Sequence, residues 1–259
     1  MVSLRTAGFG LLTWVGDLSL FGLKAIVGAF RRPFEFQEIG RHLYEIGWRS
    51  TPLIATSGLA IGVVLSMHTR ASLERFGATA MIPAGLAIAL VRETGPLTAG
   101  LLVSGRGGAG IGAELGAMRV TEQIDALEAT AVDAFKYLAV TRIVACTLAM
   151  PLLTSIMNFA GIIGGFLAET TITGMSLRLY LDRSFSLIGF VDLVPATLKT
   201  AVFGFIIGTV ASYLGFHATS GTEGVGRAST RAVVLSSMLI IVVNVILVKL
   251  IFFLYPGMQ

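Results

Sequence analysis

What most constrains this chain is a series of long runs in which apolar side chains are almost unbroken. In hydrocarbon no water pairs with a backbone N–H or C=O, so a spanning segment has to be a helix or a strand of a closed barrel. A helix needs roughly 20 apolar residues to cross ~30 Å of hydrocarbon. Five segments reach that length: 51–69, 76–105, 143–168, a fourth that begins at Leu193 or Lys199 and ends at Phe216, and 232–255. Only 13% of the 259 residues are charged, whereas about a quarter are charged in a soluble domain. The chain reads as an all-α polytopic membrane protein, a single domain over 1–259 with a five-span core in 51–255.

An odd number of spans places the termini on opposite sides. With the N-terminus inside, twelve lysines and arginines lie on the inner side, Arg119, Lys136, Arg227 and Arg231 among them, and six lie outside, Lys199 among them. The positive-inside rule selects this orientation, N-terminus cytoplasmic and C-terminus external. The first fifty residues differ from the spans. Asp17, Lys24 and Arg31 recur every seven residues, with Ser3 and Gly10 completing the series, so residues 7–30 carry one narrow polar stripe. A helix lying in the membrane interface has this pattern; the alternative is a sixth span. Phe36, Ile39, Leu43 and Ile46 then repeat at three and four residues and predict a second amphipathic helix.

Span two contains "LVRETGPLTAG", with Arg92 and Glu93 near its middle. A charge at the bilayer centre costs about 2.5–3.5 kcal/mol on translocon scales. Adjacent helical residues do not face each other, so each of the two needs its own partner. Pro96 has no N–H and leaves the carbonyl of Arg92 without its helical donor, and Gly95 loosens the same turn. The expectation is a kink with an open carbonyl beside two charges. Irregular backbone at membrane depth persists where it is buried in protein or lines a cavity. Arg92 and Glu93 either meet a ligand or form a salt bridge, and Lys199 or a second copy of the chain supplies the candidate partners. Pro83 and Pro151 are further candidate kinks.

"GRGGAG" at 105–110 matches the dinucleotide fingerprint, and Asp125 lies twenty residues on. A transmembrane segment precedes it rather than a short strand of a βαβ unit, so the match is refused. Gly100, Ser104, Gly108, Gly112 and Gly116 are each four apart and form one small-residue helix face that permits close packing. No lysine stands in a Walker A context. Beyond that face, Val120, Ile124, Leu127 and Ala131 share one side of a short helix, while Glu122, Asp125 and Glu128 make an acidic stripe on it. Thr121 is placed to cap its start. Such a helix suits docking to another protein or is a solvated loop helix. Residues 176–199 mix apolar and charged residues and predict short external helices.

"RETGP" at 92–96, "AELGAMRVTEQIDALEA" at 113–129, "MPLLT" at 150–154 and "GVGRASTRAVV" at 224–234 closely resemble the MlaE family of bacterial ABC-transporter permeases, over nearly the whole chain and in order. The resemblance implies an interfacial N-terminal helix followed by five spans, in a homodimer of the bacterial inner membrane. It implies a cytoplasmic ATPase partner that carries ATP and Mg, so that this chain holds no cofactor, often a small STAS-domain protein, and a periplasmic MCE-domain hexamer. Together these move phospholipid between the inner membrane and the periplasm and maintain outer-membrane lipid asymmetry. By the same resemblance, a coupling helix at about 118–130 presents Glu122, Gln123, Asp125, Leu127 and Glu128 to the ATPase. An outward-facing cavity at the dimer interface holds lipid, with Arg92 offered to its phosphate and Glu93 balancing that charge or binding an amine headgroup. Leu65 and Phe76 would supply the apolar wall; Ser72 departs from the family's apolar or aromatic pattern there.

Two other functions compete. An intramembrane enzyme needs a nucleophile–base pair or a metal cluster, but Ser104 has no histidine near it in its span. His42, His68 and His217 are far apart without ligand-spaced companions. A passive membrane scaffold does not need charges in mid-span. Cys146 is the only cysteine, so no internal disulfide forms, and a net charge of +4 requires no nucleic acid.

Overall fold

A computed structural model describes residues 2–219 and 221–254, with side-chain surroundings from residue 13 onward except at Val191. Among the described residues the ordered elements are all helical. Five segments are long and apolar enough to cross a membrane: Phe36–Phe76, Thr79–Val120, Phe135–Thr173, Asp192–Phe216 and Gly221–Leu254. The chain is a multi-pass membrane protein. Tyr255, the expected last residue of span five, lies outside the described residues, and the surroundings of Ser3 and Gly10 are not described.

Helix α1 (Val2–Ala29) is separate from these five. It seats Gly22 on Phe205 and Thr209, buries Ala25, and places Gly28 against Val140. Lys24 of its polar stripe lies 4.4 Å above the ring of Phe135. Helix α2 (Phe36–Ile46) passes through one tight turn, Trp48–Ser50, into α3 (Thr51–Leu73), whose first turn carries Pro52, where a missing N–H costs nothing. The guanidinium of Arg106 holds this corner by donating to the Glu45 carbonyl (3.2 Å) and to Ser50 Oγ (2.7 Å).

Span two is one helical rod made of α4 (Ile82–Ala89), α5 (Gly95–Val103) and α6 (Ala109–Val120), joined by π-turns at Leu90–Thr94 and Ser104–Gly108. It runs well past the expected end at residue 105, because the glycine series continues the helix. Pro83 begins α4 instead of kinking it. A short helix, α7 (Gln123–Ala129), follows, and a π-turn at Phe135–Val140 opens α8 (Thr141–Thr173), which includes Pro151. Residues 176–199 depart from the expectation of short external helices. One such helix forms, α9 (Leu177–Phe185), but α10 (Phe190–Phe216) starts early enough to carry Asp192 and Lys199 within span four. Lys199, counted outside on sequence, therefore falls within the fourth segment long and apolar enough to span. The last helix is α11 (Gly221–Leu254).

The spine is α8, flanked by α3 and α10. Apolar helices gain little by leaving lipid, so close packing of small residues holds them together. A side chain at Gly62 would overlap the carbonyl of Gly161, and one at Gly164 would overlap the carbonyl of Leu59. On the other flank, Gly204 rests on the Cys146 carbonyl with no room for a Cβ. Overpacking a core typically costs about 1–3 kcal/mol, and here the obstruction is backbone. Gly62→Val and Gly204→Val are expected to abolish a monodisperse folded species in detergent. Gly110→Ala, where nothing lies within 4 Å of the new methyl, is expected to leave the thermal unfolding midpoint unchanged or slightly raised.

Candidate functional site

Pro96 removes one donor from the ladder of span two, and the chain absorbs the loss by widening its turn. The N–H of Gly95 reaches the carbonyl of Leu90, five residues back, in place of the usual four. No break results. Such π-turns are often found at functional sites. Gly95 is also required on packing grounds, because the Asn158 side chain occupies the space of a Cβ.

The carbonyl of Arg92 that Pro96 leaves open is filled from α10. Lys199 Nζ donates to it at 2.6 Å and to Glu93 Oε1 at 2.9 Å. The other oxygen of Glu93 accepts from Asn244 Nδ2 of α11 at 3.2 Å. Arg92 meets Asp192, with Nε 2.8 Å and Nη2 2.6 Å from Oδ1. Asp192 Oδ2 accepts the backbone N–H of Gly189 at 2.9 Å, which also caps α10. Two cations and two carboxylates thus form a neutral quartet within one chain, so Arg92 and Glu93 already have partners without a second copy. Lys199 and Asp192 are buried, while Arg92 and Glu93 keep 26% and 44% of their side-chain surface open. The open side faces a narrow cleft of about 20 Å³, walled by Ala196, Val248, Ile251 and Phe252. That is room for roughly one water. One face of the quartet is held by protein and the other is available to a polar group.

Leu65 and Phe76 are not among the residues around this cleft. Leu65 packs on Leu90, Ile162 and Tyr180, and Phe76 is exposed at the end of a turn that follows α3. The small-residue face lies against α10 and α11. Gly100 meets Phe203 and Ile240, Gly108 meets Ile207, Gly112 meets Ala228 and Ala232, and Gly116 meets Val225. Ser104 bonds to Ser236 at 2.6 Å and Ser237 at 3.1 Å. On α7, Ile124 is buried and Leu127 packs on the core, while Glu122, Gln123, Asp125 and Glu128 face outward. Glu122 adopts φ of 58° at the corner, and Asp125 pairs with Arg119. Thr121 does not cap α7; its hydroxyl bonds back to the Ala117 carbonyl at 2.8 Å.

Asp192 and Asn244 escaped the sequence reading, yet both carry a signal. Asp192 and Lys199 are seven residues apart, on one face of a helix, and Asn244 is the one amide in α11. Two further ion pairs, each with one buried charge, were missed. Glu169, one residue beyond the expected end of span three, binds Ser66 Oγ (3.0 Å) and Arg70. Arg142 pairs with Glu114 at 2.8 Å.

The family model described as Permease MlaE matches residues 39–250. A probable ABC transporter permease protein of Rickettsia bellii is 39% identical over 238 residues, 92% of each chain. The intermembrane phospholipid transport system permease protein MlaE of Haemophilus influenzae is 30% identical, covering 90% of this chain and 89% of its own. The chloroplastic protein TRIGALACTOSYLDIACYLGLYCEROL 1 of Arabidopsis thaliana is 31% identical over 80% of this chain and 59% of its own.

Removing one member of a buried ion pair costs about 3–5 kcal/mol, much of it from the charge left behind. Lys199→Met is therefore expected to destabilise the protein strongly. The double variant Glu93→Gln/Lys199→Met should lose less than the two single losses combined, by at least about 0.5 kcal/mol. A double-mutant cycle on thermal midpoints in detergent reads this directly, and strict additivity would contradict the pairing.

Proposed function

Because the chain belongs to the MlaE permease family, we propose that it is the transmembrane subunit of an ATP-driven transporter that moves phospholipid between the bacterial inner membrane and the periplasm or outer membrane, maintaining outer-membrane lipid asymmetry. The observation that carries this reading is the mid-span quartet, whose Arg92 and Glu93 remain partly open beside an apolar wall. A guanidinium presents a planar fork suited to phosphate, and Glu93 balances it or receives an amine headgroup. The apolar residues at the cleft suit acyl chains.

In one chain the cleft admits about a water, so a headgroup requires a larger, outward-facing cavity completed by a second copy. Helix α11 supplies a face for this: Met238, Ile241, Val245, Leu250 and Phe253 are exposed along it, next to the cleft residues Val248, Ile251 and Phe252. Leu65 and Phe76 join the lipid wall only in that wider, dimeric cavity. The N-terminus lies in the cytoplasm, where α7 offers its acidic outer face to a separate ABC ATPase. Nucleotide and Mg belong to that partner, in keeping with a chain that has no Walker A sequence. A periplasmic MCE-domain hexamer, and a STAS-domain protein on the ATPase side, complete the assembly.

Lipids that co-purify with Arg92→Ala and Glu93→Ala, measured by mass spectrometry against the unaltered protein, are expected to fall several-fold. Undiminished phospholipid in both folded variants would remove the mid-span cleft as the lipid site. Charge reversal at Glu122, Asp125 and Glu128 together is expected to abolish recovery of the ATPase with the permease on affinity purification. Unchanged recovery would remove α7 as the docking element.

A further inference from the structure

A second cleft lies at the opposite end of α10 from Asp192 and is far roomier, about 390 Å³ against 20 Å³ at mid-span. It is bounded by α1, the last turn of α10 and the first turns of α11, and its lining includes Trp14, Tyr213, His217, Arg227 and Arg231. The two arginines are four residues apart and so project from one face of α11. No carboxylate is among the lining residues. Glu223 pairs with Arg227 at 3.4 Å from the exposed side, and among the described residues no carboxylate pairs with Arg231. The aromatic side is fixed: Tyr213 is buried, Trp14 meets it edge-on at 6.2 Å, and His217 stacks on it at 4.4 Å. Gly116 packs on Ala218 and Val225, so this cleft is at the membrane end that carries α7.

A separate apolar groove of about 380 Å³ follows the same helices away from the cleft, lined by Leu18 and Ile26 of α1, Phe205 and Val210 of α10, and Leu239 of α11. The two are in register. Along α1 the cleft residue Trp14 precedes the groove residue Leu18 by one turn, and along α10 Tyr213 follows Val210 by one turn. A cationic cleft with interfacial aromatics, continued by an apolar groove, has the chemistry of a whole lipid: phosphate at one end and acyl chains along the other.

We propose that this cleft and groove bind an anionic phospholipid of the α7-side leaflet, its phosphate held by Arg227 and Arg231 and its chains lying between α1 and α10. The site is distinct from the Arg92 quartet, and the bound lipid would fasten α1 to the bundle.

Trp14 reports on it directly once Trp48, the other tryptophan, is changed to Phe. Trp48 is exposed. In detergent, dihexanoyl phosphatidylglycerol is expected to change the Trp14 emission saturably, and dihexanoyl phosphatidylcholine to do so at least tenfold more weakly. Arg227→Gln/Arg231→Gln should weaken the response at least tenfold; if that variant does not fold, Arg231→Gln alone should weaken it at least threefold. Arg92→Ala should leave it intact, which separates this site from the mid-span one. Equal binding of the two lipids, or unchanged affinity in the arginine variant, would overturn the proposal. Loss in Arg92→Ala would assign the signal to mid-span. The same saturable response with inorganic phosphate alone would make this a free-anion site and not a lipid site.

Discussion

One ammonium group organises the middle of this membrane protein. Lys199 fills the carbonyl that Pro96 strips of its donor, and with the same atom neutralises Glu93. Each problem is severe alone: an unpaired carbonyl and a lone carboxylate both cost several kcal/mol or more away from water. Joined on one side chain they become a fixed link between span two and span four. Arg92 and Asp192 repeat the link two turns of α10 away, so α10 is held in register against span two at two points. Asn244 adds α11 to the same cluster.

That link can form only if the helices approach closely, and glycine makes the approach. Gly62 and Gly164 bring α3 onto α8, Gly161 makes room on α8 for Leu90 of span two, and Gly204 brings α10 onto α8. The small-residue series from Gly100 to Gly116 lets span two lie along α10 and α11. Two π-turns keep span two helical past Pro96 and past the glycine-rich 105–110 segment. In lipid, where backbone groups have no water to turn to, a widened turn is less costly than a break.

Buried polar groups occur at three levels of the bundle. Arg70, Ser66 and Glu169 join the end of α3 to the end of α8, the quartet lies at mid-span, and Arg142 with Glu114 joins α8 to α6 at the α7 end. Breaking such pairs is expensive, so these contacts favour one arrangement of helices over the many that apolar packing alone would allow. Only at mid-span do two of the charged side chains also face an apolar-walled cleft. This is why the proposed lipid site is placed there and not at the other pairs.

Much of this was legible in the sequence. The five spans follow from run length, and the helical face of Gly100, Ser104, Gly108, Gly112 and Gly116 follows from their spacing of four. The unmet carbonyl of Arg92 follows from Pro96. The sequence also said that Arg92 and Glu93 could not satisfy each other. It offered Lys199, at the edge of span four, as one candidate partner but did not offer Asp192, because hydropathy began that span at Leu193 or Lys199: a charged residue scores the same whether water or an opposite charge surrounds it. Glu169 was lost at the edge of span three for the same reason. Spacing along a chain decides which residues share a helix face. Which helices meet, and hence which charges pair, is decided by shape complementarity between segments a hundred residues apart, and only the tertiary structure contains it.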